Sequence, residues 1–276
     1  MRMGLAVLAS AGFALFASAS SADTTITITD SACTAPPLPA AVASPVSPNV
    51  AAGIAAAKNK DFALARANFQ PLAEKGDAEG ERALGQLLMQ KCTGIQDKAA
   101  AVSWLTKASD AGNATAQTQL GQAYLNGSGV AQDDAQAYAL FGKAAATGNR
   151  VAQTELGYLY LTGRGVASDK YQGMVWTVKA AEQGAPQALS NIAHGYFIGD
   201  GLPKDNDKAA RYMFAAIQRA TLDQRSHFAG SANEIKRAMS GDDLQQAARR
   251  AQRWSPGAGS LSDVLDDATE ARAKHG

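Results

Sequence analysis

The sequence predicts an all-α fold, an α-solenoid of stacked antiparallel helix pairs, and three observations carry that prediction. The first is a 36-residue period. Leu84, Leu120, Leu156 and Ile192 recur at that interval, as do Gly85, Gly121, Gly157 and Ala193, the aspartates 97, 133, 169 and 205, and the bulky set Trp104, Leu140, Trp176 and Tyr212. Units of this length cannot bury an apolar face alone and build a continuous core by stacking. The second is helical spacing inside a unit, where Ala116, Leu120, Ala123 and Tyr124 share one face. The third is repeated punctuation. Asp133 with Gln136 and Asp169 with Gln172 have capping-box spacing, while Gly76, Gly112, Gly148 and Gly184 stand where a C′ glycine ends a helix.

Along the chain, residues 1–22 read as a signal peptide: Arg2, an apolar run from Leu5 to Phe16, then Ser20-Ser21-Ala22 at a cleavage site. The alternative, a buried or membrane-spanning helix, suits the segment less well, because a span needs about 20 apolar residues and Ser, Asp and Thr follow at once. The expected mature chain starts near Asp23 and is exported, periplasmic or secreted, with no membrane span. Residues 23–48 form a Thr/Pro/Ala-rich extended leader, with a weak strand signal at Thr24–Thr29. Two cysteines in an exported chain suggest a Cys33–Cys92 disulfide, worth roughly 2–4 kcal/mol if unstrained, and two unrelated thiols are the alternative.

The helical array is expected over 49–220, with a hairpin at 49–76 and repeats at 77–112, 113–148, 149–184 and 185–220. Pro71, inside the second helix of the hairpin, is expected to bend or shorten it. Gly121 and Gly157 lie inside helices, where glycine costs about 1 kcal/mol against alanine. Their recurrence points to a neighbouring helix too close for a β-carbon. Beyond the last repeat, 221–254 reads as two C-terminal capping helices and 255–276 as a flexible tail, mostly mobile, with a frayed helix near Leu261–Ala271.

The run Leu156-Gly157-Tyr158-Leu159-Tyr160-Leu161-Thr162-Gly163-Arg164-Gly165-Val166, followed by Asp169, Trp176, Lys179-Ala180-Ala181 and Gly184, resembles the Sel-one-like repeat (SLR) family. The units at 113–148 and 185–220 match nearly as well. The unit at 77–112 keeps Leu84-Gly85, Trp104, Lys107-Ala108 and Gly112 but has Lys91 in place of the first loop glycine, which slips the loop register by about one residue. The resemblance implies a tetratricopeptide-like right-handed superhelix and an adaptor or scaffold role. In bacteria, many such proteins are exported and act in envelope maintenance, secretion, regulation or host contact. A cysteine-rich branch of the family is linked to β-lactam binding or hydrolysis. That branch carries a cysteine pair in each repeat, and this chain has two cysteines in all.

No catalytic constellation is legible. The three histidines, His194, His227 and His275, are far apart, and no zinc-protease, nucleophile-elbow or phosphate-loop pattern occurs. The sequence therefore predicts no enzyme, no cofactor and no metal. Lys plus Arg is 26 against 25 for Asp plus Glu, which gives no basic excess for nucleic acid. The expected partner is a protein or peptide, held on the concave side lined by the first (A) helix of each repeat. With Ala116, Leu120, Ala123 and Tyr124 inward, an apolar ladder of Met89, Leu125, Leu161 and Phe197 points outward, beside Gln86, Gln122, Tyr158 and His194. The expected contact residues are Met89, Gln122, Leu125, Tyr158, Leu161, His194 and Phe197. Ordinary packing between repeats is the alternative for the same positions. Tyr124, Tyr160 and Tyr196 are expected in the core.

Overall fold

The structure, a computed structural model, describes residues 48–91, 93–257 and 261–275. The signal segment, the leader through residue 47, and both Cys33 and Cys92 lie outside the described residues. Among the described residues there are thirteen α-helices and no strand: α1 (Val50–Lys58), α2 (Phe62–Glu74), α3 (Ala78–Met89), α4 (Lys98–Asp110), α5 (Ala114–Asn126), α6 (Asp134–Ala146), α7 (Arg150–Thr162), α8 (Lys170–Glu182), α9 (Pro186–Ile198), α10 (Asn206–Arg219), α11 (Leu222–Arg237), α12 (Gly241–Arg253) and α13 (Ser262–His275). The chain is an all-α solenoid of helix pairs. None of the described helices is long and apolar enough to cross a membrane.

The chain divides between Ala111 and Gly112 into two compact units. In the first, α1–α4 pack in succession around Phe62, Phe69, Leu84, Leu87 and Leu88. Helix α2 runs on through Pro71 to Glu74 and is not shortened. In the second, α5–α10 form three helix pairs, and α11 and α12 pack on the last pair.

Each repeat is set by the same local bonds. The aspartate before each second (B) helix caps it: Asp97, Asp133, Asp169 and Asp205 accept from the backbone N–H three residues on, at 2.9–3.0 Å. Their own N–H groups donate across the loop to the carbonyls of Leu88, Tyr124, Tyr160 and Tyr196, also at 2.9–3.0 Å. The first repeat regains the common register by Asp97 in spite of Lys91. That loop bond explains why Gln136 and Gln172 do not complete the expected capping boxes: the N-cap N–H they would accept from is already engaged. A full box forms where no such bond competes, between Thr221 and Gln224.

The recurrent helical glycines mark close approach, as expected. A β-carbon on Gly157 would lie 2.5 Å from Thr177 Oγ1 and 3.0 Å from the Gly173 carbonyl, and one on Gly121 would lie 2.8 Å from the Phe141 ring. The expected flexible tail is corrected by α13: the helix foreseen as frayed near Leu261–Ala271 runs over Ser262–His275 and is packed. Leu261, Val264 and Ala268, spaced for one helical face, are buried, and the helix packs against α8. Its Ser and Asp content gave a tail-like composition, but two of its aspartates bond basic and tyrosine side chains of the array.

Two glycines give opposite expectations for the same substitution. Gly157→Ala forces a β-carbon into backbone and should cost about 1–3 kcal/mol. Gly142→Ala, also inside a helix but with open space around it, should stabilise by about 0.5–1 kcal/mol through helix propensity and unfolded-chain entropy. Urea unfolding of both variants checks this; shifts of the same sign contradict it.

Candidate protein-interaction face

The A helices α3, α5, α7 and α9 are enclosed on nearly all sides. In α5 the buried set runs through Ala116, Gln117, Thr118, Gln119, Leu120, Gly121, Ala123 and Leu125, and α7 repeats it through Leu159. The apolar ladder is therefore not an exposed strip. Leu125 is buried in the core with Leu156 and Leu159. Leu161 and Phe197 are half-buried against the core around α8–α10, and Met89 against that of the first unit. Leu161 seats on Gly173, where a β-carbon would stand 2.7 Å from its Cγ. These four positions sit at the end of each A helix, where it meets its own B helix, and that contact takes their apolar surface. Among the described residues, Ile198 and Leu222 are the exposed large apolar side chains. Tyr196 is fully buried; Tyr124 and Tyr160 are half-buried against the core.

The neighbouring polar ladder behaves differently. Gln122, Tyr158 and His194 are half-buried, and the first two belong to one cluster. Glu155, on α7, is 9% exposed and takes hydrogen bonding from Gln122 on α5. Burial between helices pushes its carboxyl up to about 7, against weaker opposing pulls from Gln122 and from the positive charge of Arg164. Tyr158 is hydrogen-bonded to Arg164. Arg164 clamps Asp134 at the start of α6 in a two-point pair, with Nε to Oδ2 at 3.0 Å and Nη2 to Oδ1 at 2.7 Å. The Arg164 hydrogen bonds hold the Asp134 carboxyl below its usual range. The chain passes so closely here that a β-carbon on Gly165 would lie 2.1 Å from the Asp134 carbonyl.

One turn before Gln122 stands Gln119. It is 7% exposed, and neither its amide nitrogen nor its oxygen has a hydrogen-bond partner. In the first unit the equivalent face is closed: Arg82, buried on α3, donates to Gln86 at 2.7 Å and pairs with Glu79 at 2.5 Å. Sequence reasoning picked out Gln122 and Tyr158 but missed Gln119, Glu155, Asp134 and Arg164. Gln119 and Glu155 are one period apart and each lies three residues before a ladder position, so both share its face. Among the described residues no group of three or more His, Cys, Asp or Glu is placed to hold a metal ion.

Repeated helix pairs with the same cap, loop bond and interhelical glycine define a helical-repeat protein. The Sel1 repeat model matches residues 78–113, 114–149, 150–184 and 186–220, just over half of the chain, so the chain belongs to the Sel1 repeat family. Such repeats mediate protein–protein interaction. No curated protein matches the chain. Among solved structures it is similar to c5321, a protective antigen of uropathogenic Escherichia coli with an SLR fold, at 29% identity and TM-score 0.61, over 77% of this chain and 43% of that one. The chain thus spans less than half the length of that relative. It also shares its fold with a Sel1 repeat protein from Oxalobacter formigenes, at 24% identity and TM-score 0.61, over 81% of this chain and all of that one.

Glu155 gives the face a pH dependence. Its folded-state pKa lies above that of an exposed carboxyl, so the folded chain binds the extra proton. Stability from this group is therefore highest below the unfolded pKa and falls as pH rises toward 7. Glu155→Gln should stabilise the protein at pH 8 by about 1–3 kcal/mol and by little at pH 4.5. Denaturant unfolding at the two pH values checks this; an equal effect at both contradicts it.

Proposed function

We propose that this chain is an exported, non-enzymatic scaffold that binds a protein or peptide segment along the A-helix face around Gln119, Gln122, Glu155 and Tyr158. One observation carries the reading: the buried Gln119 carboxamide, whose two polar atoms are both unpaired. A buried unpaired amide costs about 1–3 kcal/mol. A peptide group offers the matching donor and acceptor, so an extended segment laid on this face would satisfy both once the carboxamide turns outward from its buried position. Export rests on the signal-like segment at 1–22, and the scaffold role on the family's interaction repeats. The pair Cys33 and Cys92 fits an oxidising compartment.

Gln119→Met removes both polar atoms at nearly constant volume. It should weaken capture of envelope proteins at least tenfold while leaving stability unchanged or about 1 kcal/mol higher. Tyr158→Ala should weaken the same captured bands. Undiminished capture by a folded Gln119→Met protein rules this face out. Thiol titration of the unreduced exported protein should find no free thiol, and nitrocefin turnover should be absent; measurable turnover favours the β-lactam reading.

A further inference from the structure

Helix α13 does not extend the stack. From the end of α12 the chain passes Ser255–Ser260, and α13 then lies back against α8, with polar contacts to α9 and α10. Its apolar contribution is a single narrow face, Leu261, Val264 and Ala268. The specific contacts come from two aspartates one turn apart. Asp267 accepts from the Tyr196 hydroxyl at 2.5 Å and from the Lys208 ammonium. Asp263 accepts from Arg211 and from the Tyr212 hydroxyl, both at 3.1 Å. Arg272 stacks on Tyr171 of α8.

The receiving surface belongs to the fourth repeat. Tyr196 and Tyr212 are stacked, with centroids 5.8 Å apart, and their hydroxyls reach the edge where Lys208 and Arg211 stand. One period earlier the same positions hold Tyr160, Gln172, Val175 and Trp176, which carry no charge. There Tyr160 bonds Tyr138 instead. Two cations and the Tyr212 hydroxyl, added in one repeat beside the recurrent Tyr196 and matched to the spacing of an i, i+4 carboxylate pair, form a recognition surface for an acidic helix. An apolar cap needs none of them.

We propose that the groove of α8, α9 and α10 is a docking site for an acidic amphipathic helix of a partner protein, and that α13 occupies it as a tethered stand-in. The chemistry of the occupant follows from charge complementarity. The partner helix carries two carboxylates four residues apart, each followed by a small apolar residue, as Asp263-Val264 and Asp267-Ala268 are here. A short tether holds α13 at an effective concentration near the millimolar range, so a partner displaces it only by binding the groove more tightly. This site is separate from the A-helix face and stands or falls independently of it.

The test uses the full chain and a fluorescein-labelled peptide of residues 261–275, followed by anisotropy. Wild type should bind the peptide weakly. The full-length double variant Asp263→Lys/Asp267→Lys, whose own helix no longer fits, should bind it at least tenfold more tightly. Adding Lys208→Glu should abolish that binding, and a peptide with lysine at 263 and 267 should restore it. Equal binding to wild type and released variant overturns the proposal, as does binding indifferent to Lys208→Glu. A dimer of the wild-type chain that the double variant loses makes a second copy the occupant and also overturns it. If the double variant loses helicity, hydrogen exchange on wild type decides. Opening of α13 at least tenfold more often than α9 and α10 supports a displaceable helix, and exchange of all three together overturns it.

Discussion

The separation between the two helices of a repeat is the constraint on which the rest of the structure depends. Gly157 on α7 faces Gly173 and Thr177 on α8 with no room for a β-carbon, and Thr177 Oγ1 is turned back onto the Gly173 carbonyl at 2.7 Å. The contact is backbone against backbone. The B helices also carry small residues into the core, where Ala144, Ala145, Ala180 and Ala181 are buried. Helices α7 and α9 then each have their own B helix on one side and the B helix of the preceding repeat on another. A chain of 46% hydrophobic residues with few aromatics can form a core in this way because small residues let helices close up.

Enclosure of the A helix has a second consequence: its polar side chains are buried too, and they divide into two groups. Gln153 is on the satisfied side. It donates to the Ala145 carbonyl at the end of α6 and accepts from Gln183 at the end of α8. Those bonds stitch successive repeats together where backbone carbonyls would otherwise lack partners. Gln119 and Glu155 are on the other side. Gln119 bonds nothing, and Glu155 has one amide and a more distant guanidinium to hold its charge. Polar burial that is satisfied specifies the stack. Polar burial that is unsatisfied costs stability, and its retention at equivalent positions of adjacent repeats makes sense if something outside the chain completes it.

The fold was legible because its determinants are local and repeated. The capping aspartates, the C′ glycines and the Leu-Gly pairs each follow from backbone geometry within one unit, and several helix ends, such as Ala114 and Asn126, could be read to the residue. The site was less legible, for two physical reasons. An amphipathic reading assumes one wet face, and an A helix closed in on several sides has none, so Leu161 and Phe197 looked exposed when they pack on neighbouring helices. Glu155 bonds Gln122 and Arg164 bonds Asp134 across the repeat boundary, which the period predicts only if register and rotation are both known. The packing of the C-terminal helix on the array was hidden by composition. Three buried residues among aspartates and a glycine-rich approach resemble a tail until the tyrosines and cations that receive them are placed.

Helix α13 also changes the energetics of the stack. In a solenoid each repeat is stabilised by itself and by its nearest neighbours, so the end units open most easily. Helix α13 touches α8 in the third repeat as well as α9 and α10 in the fourth. It therefore bridges a boundary that the stack otherwise holds through the packing of α8 on α9 and the Lys170–Asp200 ion pair. Whatever occupies that groove couples the two repeats, and α8 carries the coupling onward because it is locked to α7 at Gly157. The end of the array is held by a helix whose polar contacts, from Asp263 and Asp267, are set at its edge. Stability of the last repeat and occupancy of the groove are thus linked, and a ligand that replaces α13 with equal contacts leaves the stack intact while freeing the end of the chain.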